Sequence, residues 1–341
     1  MRILLAVDSI ITLEMLIEEV EKRQWPRGTR ARVISVVEDD DVPQEVWREE
    51  GYPASAVRLE MRRRGEQIAA LAAGALQEIG IQTEVAIMRG DPGWLITYEA
   101  RKWSADLILI RAHNRINLRS WMLGSVARSV IRSATCSVEV IRDPEPIHAD
   151  VSREQMRILL ATDGSESSVA ATQRVAAGAW PKHTEVKVVS VVNPLVYSME
   201  EIGLSRSGKT ERAYRAINAA MRILKRVGVT VSGEVVAGWT SRRIVGEAKA
   251  WGANLIVVGK RERRGIKRLL SGSVSEMVAN RAHCSVNIIR GRDISTKGKS
   301  SPAGQSLSVK TAGAAYNRED DVGLGSLNLT PAGYRACGLR H

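Results

Sequence analysis

Short apolar runs alternate along the chain with longer stretches whose apolar positions return every three or four residues. In the second half the runs are residues 157–162 (RILLAT), 185–192 (EVKVVSVV), 230–238 (TVSGEVVAG), 254–259 (NLIVVG) and 285–290 (SVNIIR). Runs of this length rich in Val and Ile read as strands. The intervening stretches read as helices: one opened by Ser165 and Ser168 and running to Ala177, then about 210–227, 242–251 and 274–280. Residues 157–162 and 254–259 are apolar almost throughout, as strands covered on both faces are. Alternation of strand and helix builds a parallel sheet with right-handed crossovers.

The same order occurs twice. MRILLAVDS at Met1 returns as MRILLATDG at Met156, Trp25-Pro26 as Trp180-Pro181, and VISVV at 33–37 as VVSVV at 188–192. The offset here is 155. Further on it is 148: Gly90 answers Gly238, Glu99 answers Glu247, Trp103 answers Trp251, and LGSVARSVIRSATCSVEVIR (123–142) answers SGSVSEMVANRAHCSVNIIR (271–290). The first copy thus carries about seven more residues in its middle. A period this long is a duplicated domain rather than a solenoid repeat. The expected architecture is α/β, with two tandem doubly wound, five-stranded parallel-sheet domains of Rossmann-like type at 1–142 and 156–290. Polar residues 143–155 (DPEPIHADVSREQ) form the expected linker. Past Arg290 the pattern stops, and the Gly, Ser and Lys content of 291–341 predicts a disordered tail.

Composition adds bounds. Apolar residues make up 44% of the chain, enough for a core in each half. The balance of 50 basic to 38 acidic residues, net +12, permits an anionic partner without demanding one. No recognition helix, aromatic stacking surface or RNA motif speaks for nucleic acid. The first apolar run ends at Asp8, too short for a signal peptide or membrane span, and no later run reaches the length a transmembrane helix needs; a cytoplasmic protein is expected. Three cysteines are too few for a disulfide framework, and the five histidines show no metal-ligand spacing. There is no G-x-S-x-G elbow, and GKRERRGIK lacks the ending of a P-loop.

In an open parallel α/β sheet, ligands bind beyond the carboxyl ends of the strands. The loops that end there contain Asp8-Ser9 and Asp163-Gly164-Ser165, the strand-two ends at Val36 and Val191, then Gly90 and Gly238, and finally the stretch after strand four. In copy two that last stretch is GKRERRGIKRLLSGSVSE at 259–276. Glycine after a buried strand allows close backbone approach, and Gly272-Ser273 opens a helix whose unbonded N–H groups favour an anion. Plainer readings stand beside these. Asp8, Asp163, Ser125 and Ser273 serve equally as helix caps, and the basic run from Lys260 to Arg268 as a solvated face.

ILLATDGSESS, NLIVVGKRE, MLGSVARSVI and LSGSVSEMVA resemble the universal stress protein family, which has a strand, an Asp-Gly-Ser turn, and later Gly, two residues, Gly, nine residues, Gly-Ser. The resemblance covers both copies and leaves out the tail. It implies an adenine-nucleotide-binding type of fold, used for ATP by some members and not by others. Carried over, the site residues are Asp163, Val191, Gly259, Gly272 and Ser273 in copy two, and Asp8, Val36, Gly124 and Ser125 in copy one. Glu262 replaces one motif glycine of copy two; Arg111 and Asn114 replace both in copy one. ATP is therefore expected in copy two, with a degenerate site in copy one. The implied function is stress-response binding or regulation with at most slow ATP hydrolysis. The alternatives are a nucleotide-independent protein scaffold, or an adenylating enzyme of related fold, whose S-G-G-x-D-S and H-x-G-H signatures are missing. In the family the fifth strand pairs with another copy. Here 137–142 and 285–290 are unprotected apolar edges, so antiparallel pairing within the chain is predicted, compatible with further dimerisation.

Overall fold

A computed structural model describes residues 1–38, 54–112, 123–142, 156–178, 180–204, 207–260 and 274–291. The expected linker and residues 292–341 of the expected tail lie outside the described residues. Copy one runs β1 (Arg2–Ala6), α1 (Ile10–Glu21), β2 (Arg30–Val37), α2 (Ala54–Glu78), β3 (Gln82–Arg89), α3 (Pro92–Lys102), β4 (Leu107–Arg111), α4 (Ser125–Ser133), β5 (Ser137–Ile141). Copy two runs β6 (Arg157–Ala161), α5 (Glu166–Ala177), β7 (Glu185–Val192), α6 (Pro194–Glu201), α7 (Lys209–Lys225), β8 (Thr230–Ala237), α8 (Thr240–Trp251), β9 (Leu255–Lys260), α9 (Val274–Arg281), β10 (Ser285–Arg290).

All ten strands form one sheet in the order β3-β2-β1-β4-β5-β10-β9-β6-β7-β8. Within each copy every pairing is parallel. Among the described residues the single antiparallel pairing is β5 with β10, as the two apolar edges predicted. Covering both edges at once removes the templates that would otherwise recruit another chain. Strand alternation then divides the core. On one face Ile108, Ile110, Val138 and Val140 pack in a single cluster with Ile256, Val258, Val286 and Ile288, so α3, α4, α8 and α9 share one core across both copies. On the other face α1 and α2 cover a core made only of copy-one residues, and α5 and α7 one made only of copy-two residues.

The repeated landmarks are structural. The indole N–H of Trp25 donates to the Val20 carbonyl at 2.8 Å and that of Trp180 to Val175 at 2.7 Å, closing the turn after the first helix of each copy. Asp106 accepts the Arg2 N–H, and Asn254 the Arg157 N–H, each at 2.7 Å, setting the first strand against the fourth. Glu99 pairs with Arg32, and Glu247 with Lys187 at 3.0 Å. Trp103 and Trp251 lie under the guanidinium groups of Arg2 and Arg157, each at 6.0 Å.

Sequence periodicity did not announce α6, because none of its residues is buried. Its start was nonetheless marked: Asn193 caps it, accepting the Leu195 N–H at 3.0 Å, and Pro194 takes the first helical position. Glu200 ties α6 to α7. It accepts from the Ser207 hydroxyl and, at 2.9 Å each, from the Lys209 and Thr210 N–H groups. The cap residue Gly208 has no side chain for this task. These bonds, that of Ser207 first, hold the Glu200 carboxyl at about 2 instead of the ordinary 4.5. A depressed carboxyl stabilises in full above its unfolded pKa and loses that contribution as pH falls through the folded value. The junction therefore stays closed at pH 4.5 and opens toward pH 2. Glu200→Gln should open it at neutral pH, read as faster amide exchange at Lys209 and Thr210; unchanged exchange would contradict the assignment.

Candidate functional site

In each copy the first strand lies between the second and the fourth, so chain direction across the sheet reverses beside it. In open α/β sheets ligands bind at such a switch point, beyond the carboxyl ends of the strands. Val36 and Val191 sit near the ends of β2 and β7, half-buried, on the face that carries the shared core. Gly124 caps α4 on the same face with extended backbone (φ −61°, ψ 164°) and no side-chain bond, and Ser125 behind it is exposed. Topology thus brings Asp8, Val36, Gly124 and Ser125 to one end of the sheet in copy one, and Asp163, Val191 and Gly259 to the equivalent end in copy two. Gly272, Ser273, Glu262 and Asn114 lie outside the described residues.

The two first loops differ. In copy two Gly164 takes a left-handed backbone (φ 74°), and the Ser165 N–H turns back to Asp163 Oδ1 at 2.9 Å. This is an Asx turn placed ahead of the helix cap, which is Ser165 itself. The Ser168 hydroxyl braces the loop: it donates to the Ser165 carbonyl at 2.9 Å and accepts from Thr162 Oγ1 at 3.2 Å. The exposed Asp163 side chain thus stands on a loop set by its own backbone. In copy one Ser9 holds the position of Gly164, its backbone is extended, and it caps α1 directly by accepting the Thr12 N–H at 3.2 Å. Asp8 is drawn onto that first turn, accepting the Thr12 hydroxyl at 2.6 Å. Ile10 and Ile11, 53% and 60% exposed, stand where copy two has Ser165 and Glu166. Neither aspartate is the helix cap; each is bonded to the turn next to it.

Gly259 has a role that the sequence did not show. A Cβ there would lie 2.4 Å from the Ser167 carbonyl carbon and oxygen and 2.7 Å from the Ser168 nitrogen. The first turn of α5 therefore rests directly on β9, as a glycine permits. By strand alternation Gly259 shares its face with Val257, on the α5 side, opposite the face of Val191. Arg111, its copy-one counterpart, likewise follows Leu107 and Leu109 on the α1 side. Among the described residues no cluster of three or more His, Cys, Asp or Glu could hold a metal ion, and no helix is long and apolar enough to cross a membrane.

Comparison with known proteins agrees with the duplicated fold. Residues 1–142 and 155–290 each match the universal stress protein family. Universal stress protein Rv2005c of Mycobacterium tuberculosis is 30% identical over 275 residues, covering 78% of this chain and 82% of that one. Universal stress protein MJ0531 of Methanocaldococcus jannaschii is 29% identical over 142 residues, 39% of this chain and 81% of the relative. The crystal structure of a universal stress protein from Archaeoglobus fulgidus superposes with a TM-score of 0.59 at 19% identity, over 85% of this chain and 96% of that one, a likeness of fold. The chain belongs to the universal stress protein family, with two copies of the family's domain in one polypeptide.

Proposed function

We propose that this chain is a cytoplasmic stress-response binding protein in which copy two takes an adenine nucleotide, ATP foremost, and copy one does not. The observation that carries this reading is the difference between the two first loops. Both aspartates are exposed and each accepts a bond from its own turn. In copy two the left-handed Gly164 and the polar Ser165 and Glu166 follow, near the half-buried Val191. In copy one an extended Ser9 and two exposed isoleucines follow instead. Binding then serves signalling through the protein's surfaces rather than turnover, since the sequence offers no general base for hydrolysis. The departure at Glu262 favours a second reading, a nucleotide-independent scaffold that engages protein partners. Asp163→Ala should weaken ATP binding at least about tenfold, the ratio set by about 1.4 kcal/mol, while Asp8→Ala leaves it within about twofold. Competition against a fluorescent ATP analogue measures both. Equal losses in the two variants, or none in either, would sink the assignment to copy two.

A further inference from the structure

The ladder between β5 and β10 sets Asn287 against Glu139, Val286 against Val140 and Ile288 against Val138. Glu139 and Asn287 are also counterparts in the repeat, separated by the offset of 148. The pseudo-two-fold axis therefore passes between them. Only there does each copy present the same sequence position to the other. If copy one paired with copy one of a second chain in this register, Glu139 would face Glu139; a copy-two self-pair would set Asn287 against Asn287.

A closed polar cluster surrounds the axis, in the seam between the copy-one and copy-two cores. Glu139 is fully buried. Arg23, just past the end of α1, donates to both its oxygens, with Nη1 to Oε2 at 2.9 Å, and also to Glu19. Asn287 Nδ2 donates to Glu139 Oε2 at 2.6 Å. The Trp180 ring of copy two lies over the Arg23 guanidinium at 5.1 Å. The copy-two counterpart of Arg23 is Gly178, where a Cβ would come within 2.5 Å of the Trp180 ring. Copy two therefore has no room for a second arginine while Trp180 keeps its place. The two half-clusters are complementary to each other and not to themselves.

Stability alone does not account for this cluster. Burial raises the Glu19 carboxyl, and two buried atoms, Arg23 Nε and Asn287 Oδ1, have no hydrogen-bond partner among the described residues. Well-packed apolar side chains in place of such a buried ion cluster are often as stable or more so. What the cluster adds is discrimination. Self-pairing of copy one would enclose two Glu139 and two Glu19 carboxylates with two arginines and set like charges face to face, which is a repulsive element against the wrong partner. Self-pairing of copy two would forgo the Arg23–Glu139 bonds.

We propose that Glu139, Asn287, Arg23 and Trp180 form a selectivity lock, by which the two copies of one chain recognise each other and copy one rejects copy one of a second chain. The surface that fits the copy-one edge is an antiparallel strand with a neutral amide at the axis, accompanied by an aromatic ring packed over a glycine. Any higher assembly of this protein then uses other surfaces.

The test is refolding of the full chain from dilute to concentrated solution, with the dimer fraction read by sedimentation velocity. The native chain, with its copies paired within the chain, sets the baseline dimer fraction at each concentration. Glu139→Gln keeps the side-chain shape and leaves Arg23 its Glu19 partner, yet removes the like-charge clash. Its dimer fraction should rise at least about tenfold, corresponding to about 1.4 kcal/mol. Exchange of cross-paired halves between chains would repeat the monomer's own contacts, so this substitution would leave such exchange unchanged; a rise reports self-pairing. The combined variant Glu139→Leu, Asn287→Leu, Arg23→Met should unfold at no lower denaturant concentration than the native chain and should also dimerise. Should Glu139→Gln fail to fold, the combined variant decides in the same two directions. If both remain as monomeric as the native chain, the covalent tether alone sets the pairing and the proposal falls. If neither folds, the cluster is a stability element and the proposal falls equally.

Discussion

Lysine in place of Val140 should part the two halves of the chain. Val140 is wholly buried, Ile288 is 1% exposed, and both belong to the one core cluster that spans the copies. A lysine on either strand would place an ammonium in an apolar layer packed under α4 and α9, out of reach of water. Glu139 is next in sequence, but it points to the opposite face and is already engaged by Arg23 and Asn287. Burial of an unpaired charge belongs to the short set of mechanisms that cost a single substitution more than about 4 kcal/mol. That is a large share of the roughly 5–15 kcal/mol of a typical domain. Val140→Lys and Ile288→Lys should each lower the denaturant midpoint and speed limited proteolysis of the chain relative to the native protein. Unchanged unfolding and proteolysis in both would show that the ladder is not what joins the copies.

Alanine at Gly259 should distort copy two locally. The added methyl meets backbone atoms of Ser167 and Ser168, which cannot rotate away as a side-chain tip can. The first turn of α5 must lift from β9, and with it the Ser168 hydroxyl that braces the loop through Thr162 and the Ser165 carbonyl. Overpacking of this kind costs about 1–3 kcal/mol. Gly246 provides the control: it lies within α8, and a Cβ there meets nothing within 4 Å. Gly246→Ala should stabilise by about 0.4–1 kcal/mol, since it restricts the unfolded chain without a clash. Denaturant unfolding separates the two cases. Under the proposed function Gly259→Ala also weakens ATP binding, because it moves the loop that carries Asp163.

The strands and most helices of copy two were legible in the sequence because burial imposes periodicity. The apolar runs at 157–162 and 254–259 became β6 and β9 to within a residue or two. Helix α6 was not legible in the same way. It buries nothing, so it leaves no apolar stripe, and only Asn193-Pro194 marked it. Gly259 could be singled out but its reason could not, because the face on which its missing side chain falls depends on strand parity and on where α5 lands. Glu139 and Asn287 were visible as matching positions. Their meeting required the register of β5 on β10, and Arg23 reaches Glu139 from 116 residues away. Asp8 and Asp163 looked alike in sequence, yet a single left-handed glycine in copy two, against an extended Ser9 in copy one, gives the two carboxylates different neighbours.

The most direct test of the account is calorimetric titration of ATP into the full chain, alongside Gly272→Glu and Gly124→Glu. The account predicts one saturable site per chain, lost when glutamate replaces Gly272 in copy two and retained when it replaces Gly124 in copy one. Two sites, a site lost with Gly124→Glu, or no binding at millimolar ATP would contradict it.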